Sequence, residues 1–168
     1  MFKVDLLFHE YGSQKHSELA VTLDLLKALY GIHQTHHWQV SGHTFYADHL
    51  LFERLYKTVR KQIDGVAERA VGLGNSELVN LRSSLRNVTR FVDAVDMSVN
   101  IEESNDEALR MVRTSYLAEK FFISALEDIM KDLKAKNLMS FGMEQLLGTI
   151  LDEHEGLCYL LKQRIKTA

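Results

Sequence analysis

Apolar residues recur at intervals of three and four along most of the chain, which is the spacing of one face of an α-helix. The first such run comprises Leu19, Leu23, Leu26, Tyr30, His33 and His37. This run predicts a first helix over about residues 13–40. Ser41-Gly42 follows as a turn, because glycine readily adopts the left-handed conformation that ends helices.

Three further segments predict long helices, and one predicts a shorter helix between them. Apolar positions from Phe45 to Val71 predict a second helix over about residues 44–73. The positions from Leu78 to Val95 predict a short connecting helix, with Ser76 as its N-cap. The third and fourth long helices are expected over about residues 105–134 and 140–165.

Four long helices with one long connection between the second and the third are typical of a ferritin-like bundle, although other four-helix bundles share this pattern. The predicted fold is therefore all-α, a ferritin-like four-helix bundle with a short helix in the long connection. The length fits a single domain over residues 1–168. The chain has no proline, which argues against a fold rich in loops or hairpins.

Composition narrows the class of protein further. The single cysteine, Cys158, excludes an intrachain disulfide framework, so we expect a reducing, cytoplasmic location. No long apolar run typical of a signal peptide or a membrane span occurs, so we expect no membrane association. A net charge of −3 gives no electrostatic reason to wrap nucleic acid. The unusual feature is eight histidines, five of which lie between His33 and His49.

His37, His49, Asp64 and Glu68 form a candidate metal site that a single chain cannot complete. Asp64 and Glu68 share one helical face, and His37 and His49 flank the turn between two antiparallel helices. Fifteen residues of one helix separate His49 from Asp64, a rise of about 22 Å that metal–ligand bonds of about 2 Å cannot bridge. A two-fold axis between them would place the histidines of one subunit against the carboxylates of another.

Mixed imidazole and carboxylate ligands with open positions suit iron that must also bind an oxidant. The residues alone leave a second interpretation equally open, in which the histidines pack in a core or interface and the carboxylates are solvated. An intrachain di-iron centre of the ferritin type needs a Glu-x-x-His pair. The sequence contains no such pair.

A longer motif surrounds these candidate ligands over residues 33–74. It comprises His37-Trp38-Gln39-Val40-Ser41-Gly42, Phe45, His49, Asp64-Gly65-Val66-Ala67-Glu68-Arg69 and Leu73-Gly74. This motif resembles the signature of the Dps miniferritins, the DNA-binding proteins from starved cells. The intervals of 12, 15 and 4 residues between the candidate ligands match that family, and the helix layout extends the resemblance over most of the chain.

The resemblance implies a homo-oligomer, a hollow dodecamer, with ferroxidase centres at its two-fold interfaces. His37 and His49 of one subunit and Asp64 and Glu68 of the other would bind the iron. The implied function is oxidation of Fe(II), preferably by hydrogen peroxide, and storage of the ferric mineral, which protects against oxidative damage. His33 falls outside the ligand set of that family. It lies one turn before His37, so it is either a further ligand, a support for one, or a satisfied interface histidine, which we favour. Glu53 is a further candidate metal residue, for mineral nucleation.

The alternative function is that of a nucleoid protein that binds DNA and whose metal site mainly stabilises the dimer. Arg82, Arg86 and Arg90 form a stripe at helical spacing that repetition in an oligomer would make multivalent. The segment up to Glu18 is not basic, so DNA has little support as a partner. His154 is expected on a solvated helix surface.

Overall fold

The computed structural model of the chain describes residues 3–99 and 106–166, which fold into α-helices and two short 3₁₀ helices. The α-helices are α1 (Ser17–Gln39), α2 (Phe45–Leu73), α3 (Leu81–Ser98), α4 (Glu107–Ala135) and α5 (Phe141–Lys166). The 3₁₀ helices span Val4–Glu10 and Ser76–Val79. No strand occurs in these two ranges, and the prediction of an all-α fold is confirmed.

The bundle consists of α1, α2, α4 and α5. Helix α3 lies in the connection between α2 and α4 and packs on α1. Helix α1 is the central element, because it packs against α2, α3 and α4. Consequently its first half is buried on every side, including the polar residues Glu18, Thr22 and Asp24. None of the helices in the described part of the chain has the length and apolar character needed to cross a membrane.

Helices α2 and α5 begin and end within one residue of the predicted bounds. Helix α4 begins at Glu107, where the Asp106 side chain accepts a hydrogen bond from the backbone N–H of Leu109. The predicted start of this helix at Asn105 lies outside the described residues. Helix α1 begins at Ser17 rather than Ser13, because Gly12 and His16 have φ angles of +58° and +64° and interrupt the helical backbone.

The prediction of one connecting helix capped by Ser76 is wrong. Two asparagines divide the segment. The Asn75 side chain accepts from the N–H of Glu77 and starts the 3₁₀ turn, whereas Asn80 accepts from two N–H groups and starts α3. Asparagine is among the strongest N-cap residues, so two caps five residues apart create two helices instead of one.

The N-terminal 3₁₀ helix was not predicted, because its apolar run is too short to show a period. Leu7 is nevertheless fully buried. The Tyr11 hydroxyl donates a 2.7 Å hydrogen bond to Asp24 of α1, and the Asn87 side chain of α3 donates to the carbonyl of Leu7 at 3.1 Å. The segment is therefore docked against α1 and α3.

Gly74 lies where the turn before α1 passes the end of α2. A Cβ atom at position 74 would overlap the buried Leu78 side chain and would lie 3.0 Å from the carbonyl oxygen of Ala70. We therefore expect Gly74→Ala to lower the free energy of unfolding by about 1–3 kcal/mol. Denaturant unfolding measures this change.

Gly156→Ala is the matched control, because this exposed glycine of α5 has no atom within 4 Å of the added Cβ. Removing the flexibility of a helical glycine should raise the free energy of unfolding by about 0.5–1 kcal/mol. Equal stabilities for the two variants would contradict the close packing at Gly74.

Candidate metal centre

His37 and His49 face each other across the turn between α1 and α2. The turn is possible because Gly42 adopts a φ of +93°, which costs a glycine little. The two imidazole rings stack with centroids 3.8 Å apart and planes inclined by 24°. The structure therefore brings the two candidate histidine ligands into direct contact.

Both rings of this pair are held in one tautomer by the backbone. His37 Nδ1 lies 3.0 Å from the carbonyl oxygen of His49, and His49 Nδ1 lies 2.9 Å from the carbonyl oxygen of His37. A carbonyl oxygen only accepts, so each Nδ1 carries the proton and donates it. Each Nε2 then keeps the lone pair with which a neutral imidazole binds a metal.

The first turn of α2 is anchored by a buried ion pair that the sequence analysis did not identify. Arg164 near the end of α5 donates to both carboxylate oxygens of Asp48, over 2.7 and 3.0 Å. Arg164 also donates to the Thr44 hydroxyl at 3.1 Å. Asp48 is fully buried, so this two-pronged contact fixes the helix turn that carries His49.

Glu53 lies one helical turn after His49. Its carboxylate accepts a 2.6 Å hydrogen bond from Lys57, and this bond, aided by the Lys57 charge and weakly by His37 and His49, lowers the pKa of Glu53. Glu53 is therefore an ionised carboxylate close to the histidine pair. Its charge is already shared with a lysine.

Asp64 and Glu68 are both exposed on α2, one helical turn apart. Glu68 lines a shallow pocket of about 440 Å³ together with Arg69 and Leu146. Because α2 is continuous, these carboxylates stay about 22 Å along the helix from His49. In the described parts of the chain, no three His, Cys, Asp or Glu side chains are grouped so that they could hold a metal ion.

His33 lies apart from the histidine pair, in the centre of the bundle. Its Nε2 donates to Glu119 at 2.7 Å, and its Nδ1 lies 3.1 Å from the Ser115 hydroxyl. The other carboxylate oxygen of Glu119 accepts from His154 Nδ1 at 2.5 Å. His33, Glu119 and His154 are fully buried, and we call these three residues the central triad.

The prediction that His154 lies on a solvated surface is wrong. Its position follows the apolar stripe of α5, since Leu147, Ile150 and Leu157 are also buried. His33 likewise continues the apolar stripe of α1. A histidine on an apolar stripe was thus the available sign that the side chain is buried. The sequence did not show its hydrogen-bond partners, because they lie on other helices and are distant in sequence.

Hydrogen bonds from the side chains around it occupy both ring nitrogens of His154. His154 Nε2 lies 2.9 Å from the side-chain oxygen of Gln62, whose amide nitrogen donates to Glu153 at 2.6 Å. Both neighbours of the His154 ring, Gln62 Oε1 and Glu119, therefore accept hydrogen bonds. Both ring nitrogens of His154 are therefore engaged, one by each acceptor.

Glu119 is the carboxylate that accepts hydrogen bonds from both histidines of the central triad. Burial on its own raises the pKa of the carboxyl group, but the charge and hydrogen bond of His154, together with His33, outweigh burial and lower it. The pKa of the nearby His36 is lowered to about 3, mainly by burial, so His36 is neutral. The ionised Glu119 therefore lies at the bundle centre, held by hydrogen bonds from His33 and His154.

The arginine stripe on α3 carries less free positive charge than the sequence indicates. Arg86 and Arg90 each form a 2.8 Å ion pair with Glu10 of the N-terminal 3₁₀ helix. These two contacts neutralise part of the stripe and fasten the N-terminal segment to α3. The stripe is thus partly structural.

Known proteins resemble this chain in both sequence and fold. The family model described as a ferritin-like domain matches residues 21–167. A nutrient stress-induced DNA-binding protein of Nostoc sp. is 29% identical over 146 residues, which cover 85% of this chain and 72% of that protein. A DNA protection during starvation protein of Brevibacillus brevis is 41% identical over 49 residues, which cover 29% of this chain and 33% of that protein.

Among solved structures, Dps from Thermosynechococcus elongatus superimposes with a TM-score of 0.69. The match covers 89% of this chain and 88% of that one at 18% sequence identity. At this identity the likeness concerns the fold alone.

The central triad predicts a large effect for Glu119→Gln. The substitution keeps the shape of the side chain but removes the charge that accepts hydrogen bonds from His33 and His154. We expect a loss of about 3–5 kcal/mol in the free energy of unfolding, since a hydrogen bond to a charged group contributes about 1.5–3 kcal/mol. Glu127→Gln, at an exposed position of α4, is the matched control and should change it by less than about 0.5 kcal/mol. Urea unfolding at pH 7 compares the two.

The ionised Glu119 carboxylate also predicts how the free energy of unfolding depends on pH. The pKa of Glu119 is lower in the folded chain than its ordinary value of 4.5, so its contribution is complete above that value and is lost as the pH falls through the folded-state value. The stability gap between the wild type and Glu119→Gln should therefore narrow below about pH 4.5. A gap that is absent at pH 7 would contradict the assignment of an ionised, hydrogen-bonded Glu119.

Proposed function

We propose that this chain, which belongs to the ferritin-like family and within it to the Dps miniferritins, oxidises Fe(II) with hydrogen peroxide and stores the ferric product in a hollow oligomer. Iron storage and protection against oxidative stress are general functions of this family. The observation that carries the proposal is the His37–His49 pair, whose two Nε2 lone pairs are available. We place this activity in the cytoplasm.

The active unit in this proposal is a dimer. A single chain separates the histidine pair from Asp64 and Glu68 by about 22 Å, so a two-fold axis near the middle of α2 would join each half to the other half on a second copy. Two aromatic side chains near the histidines support an interface with a second copy at this surface. In the single chain, Trp38 and Tyr46 are 69% and 74% exposed. Large exposed aromatic residues commonly mark an interface.

The proposed reaction consumes two Fe(II) ions, one hydrogen peroxide and two water molecules, and yields two FeO(OH) units and four protons. Each Fe(II) gives one electron, and together they cleave the O–O bond in a two-electron step that releases no hydroxyl radical. His37 and His49 bind iron as neutral imidazoles. Asp64 and Glu68 of the second copy would supply negative charge, and Asp64 would be a carboxylate ligand able to bridge two ions.

Storage and assembly follow from the same family assignment. We propose a dodecamer whose inner wall receives the ferric product, with Glu53 as the residue that nucleates mineral. DNA binding is not part of the proposal, because Glu10 pairs with two of the three arginines of the α3 stripe. Sedimentation or light scattering tests the assembly, and a mass equal to twelve chains is expected.

Removing one ligand from either half should abolish the reaction. We expect His37→Ala and Glu68→Ala each to slow peroxide-dependent Fe(II) oxidation by more than roughly tenfold, followed by the absorbance of the ferric product. His43→Ala removes an exposed histidine of the turn and should leave the rate unchanged. Unchanged rates in both ligand variants would refute the ferroxidase.

Mixing the two inactive variants tests whether the site is shared between chains. In a heterodimer of His37→Ala and Glu68→Ala, one interface site combines both defects and the other combines the intact histidines with the intact carboxylates. Random pairing should therefore restore about a quarter of wild-type activity. No recovery in a mixed dimer, verified by mass spectrometry, would exclude the shared site.

A further inference from the structure

A second polar pocket lies at the opposite end of α1 from His37. The turn before α1, the first turn of α1 and the last turn of α4 enclose a volume of about 560 Å³. Its lining includes Gln14, His16 and Glu18, which belong to one five-residue segment. This location is separate from the His37–His49 pair, because nearly the full length of α1 lies between them.

Each of these three residues carries a buried polar atom without a hydrogen-bond partner. The atoms are Gln14 Oε1, His16 Nδ1 and Glu18 Oε2. His16 is 5% exposed and Glu18 is 1% exposed. The second oxygen of Glu18 accepts from Lys136 at 2.7 Å, so only one side of that carboxylate is satisfied. Buried polar atoms without partners are costly and therefore rare in folded proteins.

The chemistry of the unpartnered atoms indicates what kind of group they would bind. A carboxylate oxygen and an amide oxygen only accept hydrogen bonds. Burial, together with the charge of Lys15, lowers the pKa of His16 even though Glu18 opposes the shift. His16 is consequently neutral and has a lone pair to offer. With the His16 proton on Nε2, all three unpartnered atoms offer a lone pair, which suits a cation.

Electrostatics at the pocket agree with a cation. Three carboxylates line it, those of Asp5, Glu18 and Asp132, against two lysines, Lys15 and Lys136. Lys136 pairs with both Glu18 and Asp132, which leaves the lining with a net charge of −1. A bound cation would offset this excess.

We propose that Gln14, His16 and Glu18 bind one divalent transition-metal ion, of the class of Zn²⁺, Co²⁺ or Fe²⁺, at a site separate from the ferroxidase. An imidazole beside two oxygen donors favours these borderline ions, whereas Mg²⁺ and Ca²⁺ prefer oxygen ligands throughout. The ion would tie the turn before α1 to the first turn of that helix. Because Lys136 of the α4 end contacts Glu18, the site joins two elements of the bundle.

Co²⁺ alone is a suitable probe, because its visible absorption reports nitrogen and oxygen coordination. Equilibrium dialysis of metal-free protein should use a His37→Ala/His49→Ala background, so that binding at the proposed ferroxidase is removed. About one Co²⁺ per chain is expected to remain bound. Adding His16→Asn should weaken this binding by more than roughly tenfold.

Asparagine suits position 16 because His16 has a φ of +64°, and asparagine tolerates the left-handed region well. Folding is therefore expected to survive, and the melting temperature without metal verifies it. Glu18→Gln is a second variant that retains the side-chain shape and removes the charge. His43→Asn is the matched control, since His43 is exposed.

A second readout is stability. Zn²⁺ should raise the melting temperature of the background protein, since a ligand that binds only the folded state stabilises it. The rise should disappear in His16→Asn and in Glu18→Gln and persist in His43→Asn. A background protein that binds no Co²⁺, or two pocket variants that bind it as tightly as the background, would overturn the proposal. Neither result depends on whether the chain oxidises iron.

Discussion

Because α2 runs without a break from Phe45 to Leu73, it holds His49 and Asp64 about 22 Å apart, and the proposed chemistry depends on that separation. A kink would change both the distance and the direction in which the two half-sites face. The chain has no proline, so it lacks the residue that most often kinks a helix. In the proposed function, a rigid helix of this length makes a second subunit necessary to complete the two incomplete ligand sets.

The central triad contributes to the same geometry from inside the bundle. Buried paired charges are weak evidence for net stability, because removing them from water costs nearly as much as their attraction returns. The central triad instead fixes how the four helices of the bundle are aligned with one another. Glu119 of α4 contacts His33 of α1 and His154 of α5, and Gln62 of α2 completes the set. His33 lies one turn from His37 on α1, so the triad fixes the rotation of the helix that presents His37.

Local sequence signals were sufficient for most of the helices and for locating the candidate ligands. Helical periodicity, the Ser41-Gly42 turn and the spacing of His37, His49 and Asp64 all depend on residues close in sequence. The failures have a different physical origin. His154 was wrongly predicted to be exposed because its partners Glu119 and Gln62 are 35 and 92 residues away. The pattern of apolar positions along one chain does not show which polar side chains meet in the core. The split at Asn80 was missed because two competing caps occur within one periodic run.

The histidines also show why composition alone could not separate ligands from structural residues. What distinguishes them is the partner of each ring nitrogen. In His37 and His49, backbone carbonyls occupy Nδ1, and Nε2 stays available. In His154, Gln62 and Glu119 occupy both nitrogens, so neither nitrogen is available to a metal. His16 is a third case, with a buried Nδ1 that has no partner. The same side chain therefore has three different chemistries in this fold, and each is set by neighbouring acceptors rather than by the histidine itself.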